Sequence, residues 1–258
     1  MKFHKVLITL LLIFCLAGCS KDVPPEIDTV VEATQVELIE ENTEIIIETE
    51  PATEETESLE EEIILPEAND EDFVRVKAYI PDIFVELRYS TENNFTGQKI
   101  YDFSDVWLRY GTVKKLMLVQ EELKEQGLSL KIWDGFRPTS AQFKLWEVCP
   151  DAKYVANPNN GFSSHSRGNT VDITLVNLDG SEFSMPTGFD DFSKLADRDY
   201  SDCSEEATNN SLLLENLMKK HGFKPYSQEW WHFSDTDSYD VEKTFDPAQM
   251  DESDVIYK

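Results

Sequence analysis

The sequence predicts an α+β fold for residues 73–258, a single domain with a central, mostly antiparallel sheet and flanking helices. Segments of helical and of alternating periodicity follow one another in mixed order. No strand–helix–strand unit recurs, which disfavours a doubly wound parallel sheet. No internal repeat is present either, and roughly 185 residues suffice for one domain with one core.

Residues 73–90 alternate in places, with Val74 and Val76 and then Val85, Leu87 and Tyr89, and predict two short strands around Pro81. Over 111–126, Val113, Leu116, Met117, Gln120 and Leu123 fall at helical spacing, and Gly127 is the stop. Leu128, Leu130 and Ile132 alternate as a strand that runs into Trp133-Asp134-Gly135-Phe136-Arg137-Pro138. Thr139 is the expected cap of a helix reaching Val148, with Phe143 and Trp146 facing inward. Asn169–Val176 reads as a strand with Val171, Ile173 and Leu175 on its core face and Asp172 and Thr174 on the opposite one. A helix over 211–221 stops at Gly222, and Glu229–Ser234 is the last, aromatic strand.

Ahead of this domain the chain changes character. Two lysines lie in residues 2–5, residues 6–17 are almost wholly apolar, and the run closes on Leu16-Ala17-Gly18-Cys19. It resembles a bacterial lipoprotein signal over 1–18, with Cys19 as the lipid acceptor and export to the outer face of the cytoplasmic membrane as the implied address. The apolar run is too short for an ordinary transmembrane helix; a buried amino-terminal helix is the alternative. From Ser20 to Asp72 there are 20 acidic residues and one basic residue, Lys21, with no glycine or aromatic residue. Such a segment buries too little to offset its ordering entropy, so 19–72 is expected to be a lipidated cysteine and a solvated tether.

Residues 73–258 hold 31 acidic and 20 basic residues, a balance near −11 that argues against nucleic acid as a partner. Of four cysteines only Cys149 and Cys203 fall in the domain, and a disulfide and two packed thiols are both open. There is no nucleophile elbow, phosphate loop or dinucleotide fingerprint.

Four histidines occur, and two stand in unusual company. His165 lies in the Gly- and Ser-rich turn Ser163-Ser164-His165-Ser166-Arg167-Gly168, and Asp172 lies on the strand that the turn feeds. His232 ends Glu229-Trp230-Trp231-His232. Singly, a histidine in an aromatic strand is more often a packed core residue. Together, two imidazoles and a carboxylate make three ligands that leave zinc an open position for water or a substrate carbonyl. His221, next to Gly222 at a helix end, reads instead as a dipole partner.

The pattern SxHxxGxxxD followed by ExWH resembles the zinc metallopeptidases of the D-alanyl-D-alanine group, which includes the hedgehog signalling domain. The resemblance implies that fold, one zinc ion on His165, Asp172 and His232, and Glu229 as catalytic base. Residues three apart point to opposite faces of a regular strand, so Glu229 should sit at an irregular strand start to share the site. The stretch at 133–138 resembles that of the VanX-type D-Ala-D-Ala dipeptidases and implies that Arg137 stabilises the oxyanion; a structural ion pair is its alternative role. Met185-Pro186-Thr187-Gly188-Phe189-Asp190 resembles the stretch whose aspartate holds the substrate ammonium, although Asp191 is adjacent and Pro186 replaces the family's glycine. Ser164 is the candidate for the substrate carboxylate. NNFTG at 93–97 and YSQEWWHF at 226–233 extend the resemblance over nearly all of 75–235.

The leading expectation is a dipeptidase for D-Ala-D-Ala, with a small D-amino-acid peptide as partner. The alternative is a D,D- or L,D-carboxypeptidase trimming peptidoglycan stem peptides, which export favours. A zinc-bearing binding module without turnover is the third reading. The oligomeric state is not legible in the sequence.

Overall fold

A computed structural model describes residues 65–152 and 154–258; the expected signal, Cys19 and most of the acidic tether lie outside them. The elements are β1 (Phe73–Arg75), α1 (Val76–Tyr79), β2 (Phe84–Val85), β3 (Trp107–Arg109), α2 (Tyr110–Lys124), β4 (Leu128–Asp134), α3 (Thr139–Val148), β5 (Thr170–Asn177), α4 (Glu205–Lys220), β6 (Phe223–Pro225), β7 (His232–Asp235) and β8 (Ile256–Tyr257). The α+β expectation holds. A five-stranded sheet runs in the order β2-β4-β5-β7-β6, antiparallel except where β2 lies parallel to β4. A smaller antiparallel sheet runs β3-β1-β8.

Strand β5 is the centre of the large sheet. Leu130 and Ile132 of β4 lie opposite Leu175 and Ile173, and Phe233 of β7 lies opposite Val171. These side chains join Leu116, Val119 and Leu123 of α2 and Leu214 and Met218 of α4 in one buried cluster. Each such side chain, once buried, contributes about 1.5–3 kcal/mol of transfer free energy. Asp172 and Thr174 do lie on the opposite face, and that face is covered: they are only 3% and 2% exposed. The loops that cover this face enclose the functional cleft.

Four local expectations need correction. Helix α3 has no side-chain cap; Pro138 precedes it and Thr139 is its first residue. Phe143 is 47% exposed and meets Phe162 at 6.1 Å between ring centres, while Leu145, one turn-step further round, faces the core. Helix α4 begins well before residue 211, because the Ser204 hydroxyl accepts the Ala207 amide at 3.2 Å and Glu205 and Glu206 occupy its positive end. The last aromatic strand starts at His232, so Glu229 precedes it in a turn, as sharing the site requires.

Helix α2 also lacks a side-chain cap. Its first amides, of Tyr110 and Gly111, donate instead to the carbonyls of Asp72 (2.8 Å) and Asp70 (3.1 Å). Folded contacts therefore begin ahead of Phe73. Cys149 and Cys203 are free thiols. Among the described residues no helix is long and apolar enough to cross a membrane.

Candidate active site

The register of the sheet sets the site. Asp172 of β5 and His232 of β7 are direct cross-strand partners on the polar face, and His232 Nδ1 lies 3.0 Å from Asp172 Oδ1. A bulge between Ile132 and Asp134 brings Asp134 of β4 opposite Asp172 as well.

His165 arrives from a 3-10 turn, Ser164–Arg167, whose entry is capped by the Ser163 hydroxyl (3.3 Å from the His165 amide). Gly168 closes the turn at φ 77°, and a Cβ there would lie 2.3 Å from Cε1 of Phe73. Only glycine permits both that conformation and that approach. The His165 ring meets the carbonyl of Gly135 at 2.8 Å through Nδ1. A carbonyl can only accept, so Nδ1 carries the proton and Nε2 faces Asp172 Oδ2 at 3.3 Å and His232 Nδ1 at 3.4 Å. One candidate ligand atom from each of His165, Asp172 and His232 lies within 4.8 Å of the other two.

This donor set fits zinc or a near neighbour: two imidazole nitrogens and a carboxylate, with His165 and Asp172 buried, His232 partly so, and the far nitrogen of His165 fixed by a backbone carbonyl. The electrostatics agree. Burial opposes charge on His165, yet the carboxylates of Asp172 and Asp134 outweigh it and raise its pKa above the ordinary value. Burial likewise works against an ionised Asp172, and the two imidazoles hold it well below the usual carboxylate range. The pocket favours positive charge between these side chains, which a metal supplies in place of protons.

Glu229 Oε2 lies 3.5 Å from His232 Nδ1. Burial raises its pKa, and the neighbouring His232 partly offsets that. Arg137 is 9% exposed and lies in the cleft wall. Its Nη2 donates to Asp134 Oδ2 at 2.6 Å and its Nη1 to Gln142 at 3.1 Å, while Nε reaches Tyr101 at 3.3 Å. Arg137 thus forms the structural ion pair, and that pair holds a cation at the cleft. One N–H on each terminal nitrogen is left over by these bonds.

Asp190 lines the same cleft with φ 57°, and Tyr89 donates to its Oδ2 at 2.8 Å. Burial, with the Asp172 charge nearby, pushes its pKa up to about 8 against the Tyr89 hydrogen bond. Asp191 is exposed and accepts the Ser193 amide. Ser164 Oγ stands 3.5 Å from His232 Nε2. All seven expected residues of the domain therefore border one cleft of about 580 Å³.

Sequence reasoning missed the supports. Asp134 lies inside the quoted 133–138 stretch and Tyr89 just before NNFTG, so adjacency to those stretches was the available signal. Asp134 also accepts the Tyr101 hydroxyl at 2.8 Å and the Gly135 amide at 2.9 Å, so every lone pair it directs inward is used. Of the rim aromatics, Tyr226 opens the quoted 226–233 stretch, while Tyr154, Phe162 and Phe192 carried no signal.

A buried two-histidine, one-carboxylate cluster beside a carboxylate of raised pKa and a fixed guanidinium defines the site of a metallopeptidase. Residues 69–251 match the family described as D-ala-D-ala dipeptidase, and the chain belongs to that family. It is 35% identical over 162 residues to the D-alanyl-D-alanine dipeptidase of Escherichia coli strain K12, covering 63% of this chain and 83% of that protein. With the enzyme of the same name from Enterococcus faecium it shares 32% over 169 residues, 57% of this chain and 83% of that one. Among solved structures it resembles the vancomycin resistance D,D-dipeptidase VanXYg bound to a D-Ala-D-Ala phosphinate analog, with TM-score 0.34, 19% identity and 52% of each chain covered.

Proposed function

We propose that this peptidase is zinc-dependent and hydrolyses D-Ala-D-Ala to two D-Ala. The observation that carries the proposal is the convergence of His165, Asp172 and His232 with Glu229, Arg137 and Asp190 on one cleft. Zinc, held by His165, Asp172 and His232, would supply Lewis acidity toward water and the scissile carbonyl.

The remaining chemistry belongs to the side chains. Glu229, its pKa raised by burial, takes a proton from the attacking water as the new C–O bond forms, and returns it to the leaving nitrogen as the C–N bond breaks. Arg137 directs its spare N–H groups at the oxyanion; because Asp134, Tyr101 and Gln142 already fix it, little reorganisation is needed. Asp190 pairs with the substrate ammonium, which restores its ionised form. An acylated amine would leave that carboxylate with the Tyr89 hydroxyl but no countercharge, so the free dipeptide is preferred. Ser164 donates to the terminal carboxylate.

A second reading, a D,D- or L,D-carboxypeptidase acting on stem peptides, is favoured by the cleft volume of about 580 Å³, within the range that holds ligands larger than a dipeptide. The two are separated by measuring D-Ala release by the zinc-loaded protein from free D-Ala-D-Ala and from an amino-acylated stem peptide ending in D-Ala-D-Ala. Cleavage of the free dipeptide alone supports the proposal; preference for the acylated peptide replaces it with the carboxypeptidase. The proposed address is the outer face of the bacterial cytoplasmic membrane through a lipid on Cys19, supported by the run from Lys2 to Cys19. Cys19→Ser should move the protein from the membrane fraction to the soluble one, and an unchanged distribution would remove the anchor.

A further inference from the structure

The turn from Tyr226 to His232 carries the proposed base and one proposed ligand, yet most of it belongs to no strand. Glu229 must stay near the cluster while sitting outside the sheet. The Tyr226 amide donates to the His232 carbonyl at 3.1 Å and closes the turn, and three bonds from a segment far away in sequence brace it. The guanidinium of Arg198 donates to both ends of it: Nε to the Tyr226 carbonyl at 2.7 Å and Nη2 to the His232 carbonyl at 3.0 Å. Its own amide donates to the Ser227 carbonyl at 3.1 Å.

Arg198 is itself held on every side. Nη1 donates to Glu215 of α4 at 2.9 Å and to the Tyr200 hydroxyl at 3.3 Å, and the guanidinium lies 4.4 Å from the centre of the Phe233 ring. Two bonds from Trp230 strengthen the seam: its amide donates to the Ala196 carbonyl at 2.9 Å, and its indole N–H donates to the Thr187 hydroxyl at 2.9 Å. Segment 187–198, which includes Asp190, is thereby stitched to the turn that bears Glu229.

We infer that Arg198 is a positioning residue for the peptidase reaction: by bridging the Tyr226 and His232 carbonyls it fixes the turn that aims Glu229. A planar fork with five N–H groups can span two carbonyls and a carboxylate at once; a lysine ammonium cannot keep that geometry. The inference rests on the assignment of Glu229 as base in the proposed function. Because Arg198 touches neither substrate nor metal ligand side chain, its loss should act on the chemical step more than on binding.

The test uses the full, zinc-loaded protein. Arg198→Met should lower kcat on D-Ala-D-Ala about 10- to 100-fold with KM within about twofold, and Arg198→Lys should fall between it and the unaltered protein. Leu123→Ala, a cavity in the core under α2, controls for destabilisation and should lower Tm while holding kcat. Hydrogen exchange gives a second readout in metal-free protein: exchange over 226–232 should rise in Arg198→Met while β5 is unchanged. An unchanged kcat, or a loss matched by Leu123→Ala with exchange rising everywhere, would overturn the inference. If the unaltered protein cleaves neither the dipeptide nor the stem peptide, the proposed function falls, and local exchange alone then decides whether Arg198 holds the turn.

Discussion

At the scale of single residues, charge and its neutralisation decide what the cleft can do. Glu229→Gln keeps the shape of the side chain and removes the base. It should retain zinc, measured by metal content, and lose about 10²–10⁴-fold in kcat; wild-type turnover in this variant would assign the base elsewhere. Asp190 makes a prediction about pH. An aspartate ordinarily titrates at 3.8 and this one is pushed up to about 8, so between those values the folded protein holds a proton that the unfolded chain has released. Stability therefore falls as pH rises through that window. Asparagine does not titrate, so in metal-free protein Asp190→Asn should gain Tm over the unaltered chain at pH 8 and gain little at pH 4. A difference that stays flat across the window would show that Asp190 does not titrate there. The same variant should raise KM for the dipeptide if the proposed ammonium site is right, and the residue would then weaken the empty fold in exchange for binding an amine.

At the scale of elements, the site depends on turns more than on regular structure. The 3-10 turn of His165 rests on Gly168, where an added methyl meets the Phe73 ring in a left-handed backbone. Gly168→Ala should cost about 2–4 kcal/mol in all, and zinc competition should show weaker binding as the turn shifts. A Tm within about a degree of the parent would show that the turn tolerates the change. These turns also mark the limit of legibility in the sequence. The cluster of His165, Asp172 and His232 could be read because scarce histidines stood at defined offsets from carboxylates. Strand β5 could be read because it alternates without a break from Thr170 to Leu175. Arg198 could not be read, because its partners are backbone carbonyls 28 and 34 positions away, and a carbonyl leaves no mark on residue choice. The start of α4 is marked by Ser204-Glu205-Glu206, ahead of the apolar run that alone predicts 211–221. Phe143 was misplaced because a hydrophobic residue next to a cleft rim has the composition of a core residue.

At the scale of the whole molecule, the amino-terminal border of the fold is set by what caps α2. A chain starting at residue 73 loses the carbonyls of Asp70 and Asp72 that receive the first amides of that helix, and with them the Pro66 carbonyl that accepts the Tyr79 hydroxyl. Compared with a chain starting at residue 65, it should melt roughly 3–6 °C lower; equal Tm values would mean that water caps the helix as well. The cross-strand pairing of Asp172 with His232 has a further consequence, one of time. The two residues are 60 positions apart, so a chain still emerging, or one that has formed β4 and β5 but not β7, has no complete ligand set. Pairing across such separations belongs to the slow end of folding, milliseconds to seconds. Uptake of the proposed metal, followed by a dye that releases it, should then report the docking of β7 on β5, and the proposed site cannot be complete before those two strands pair.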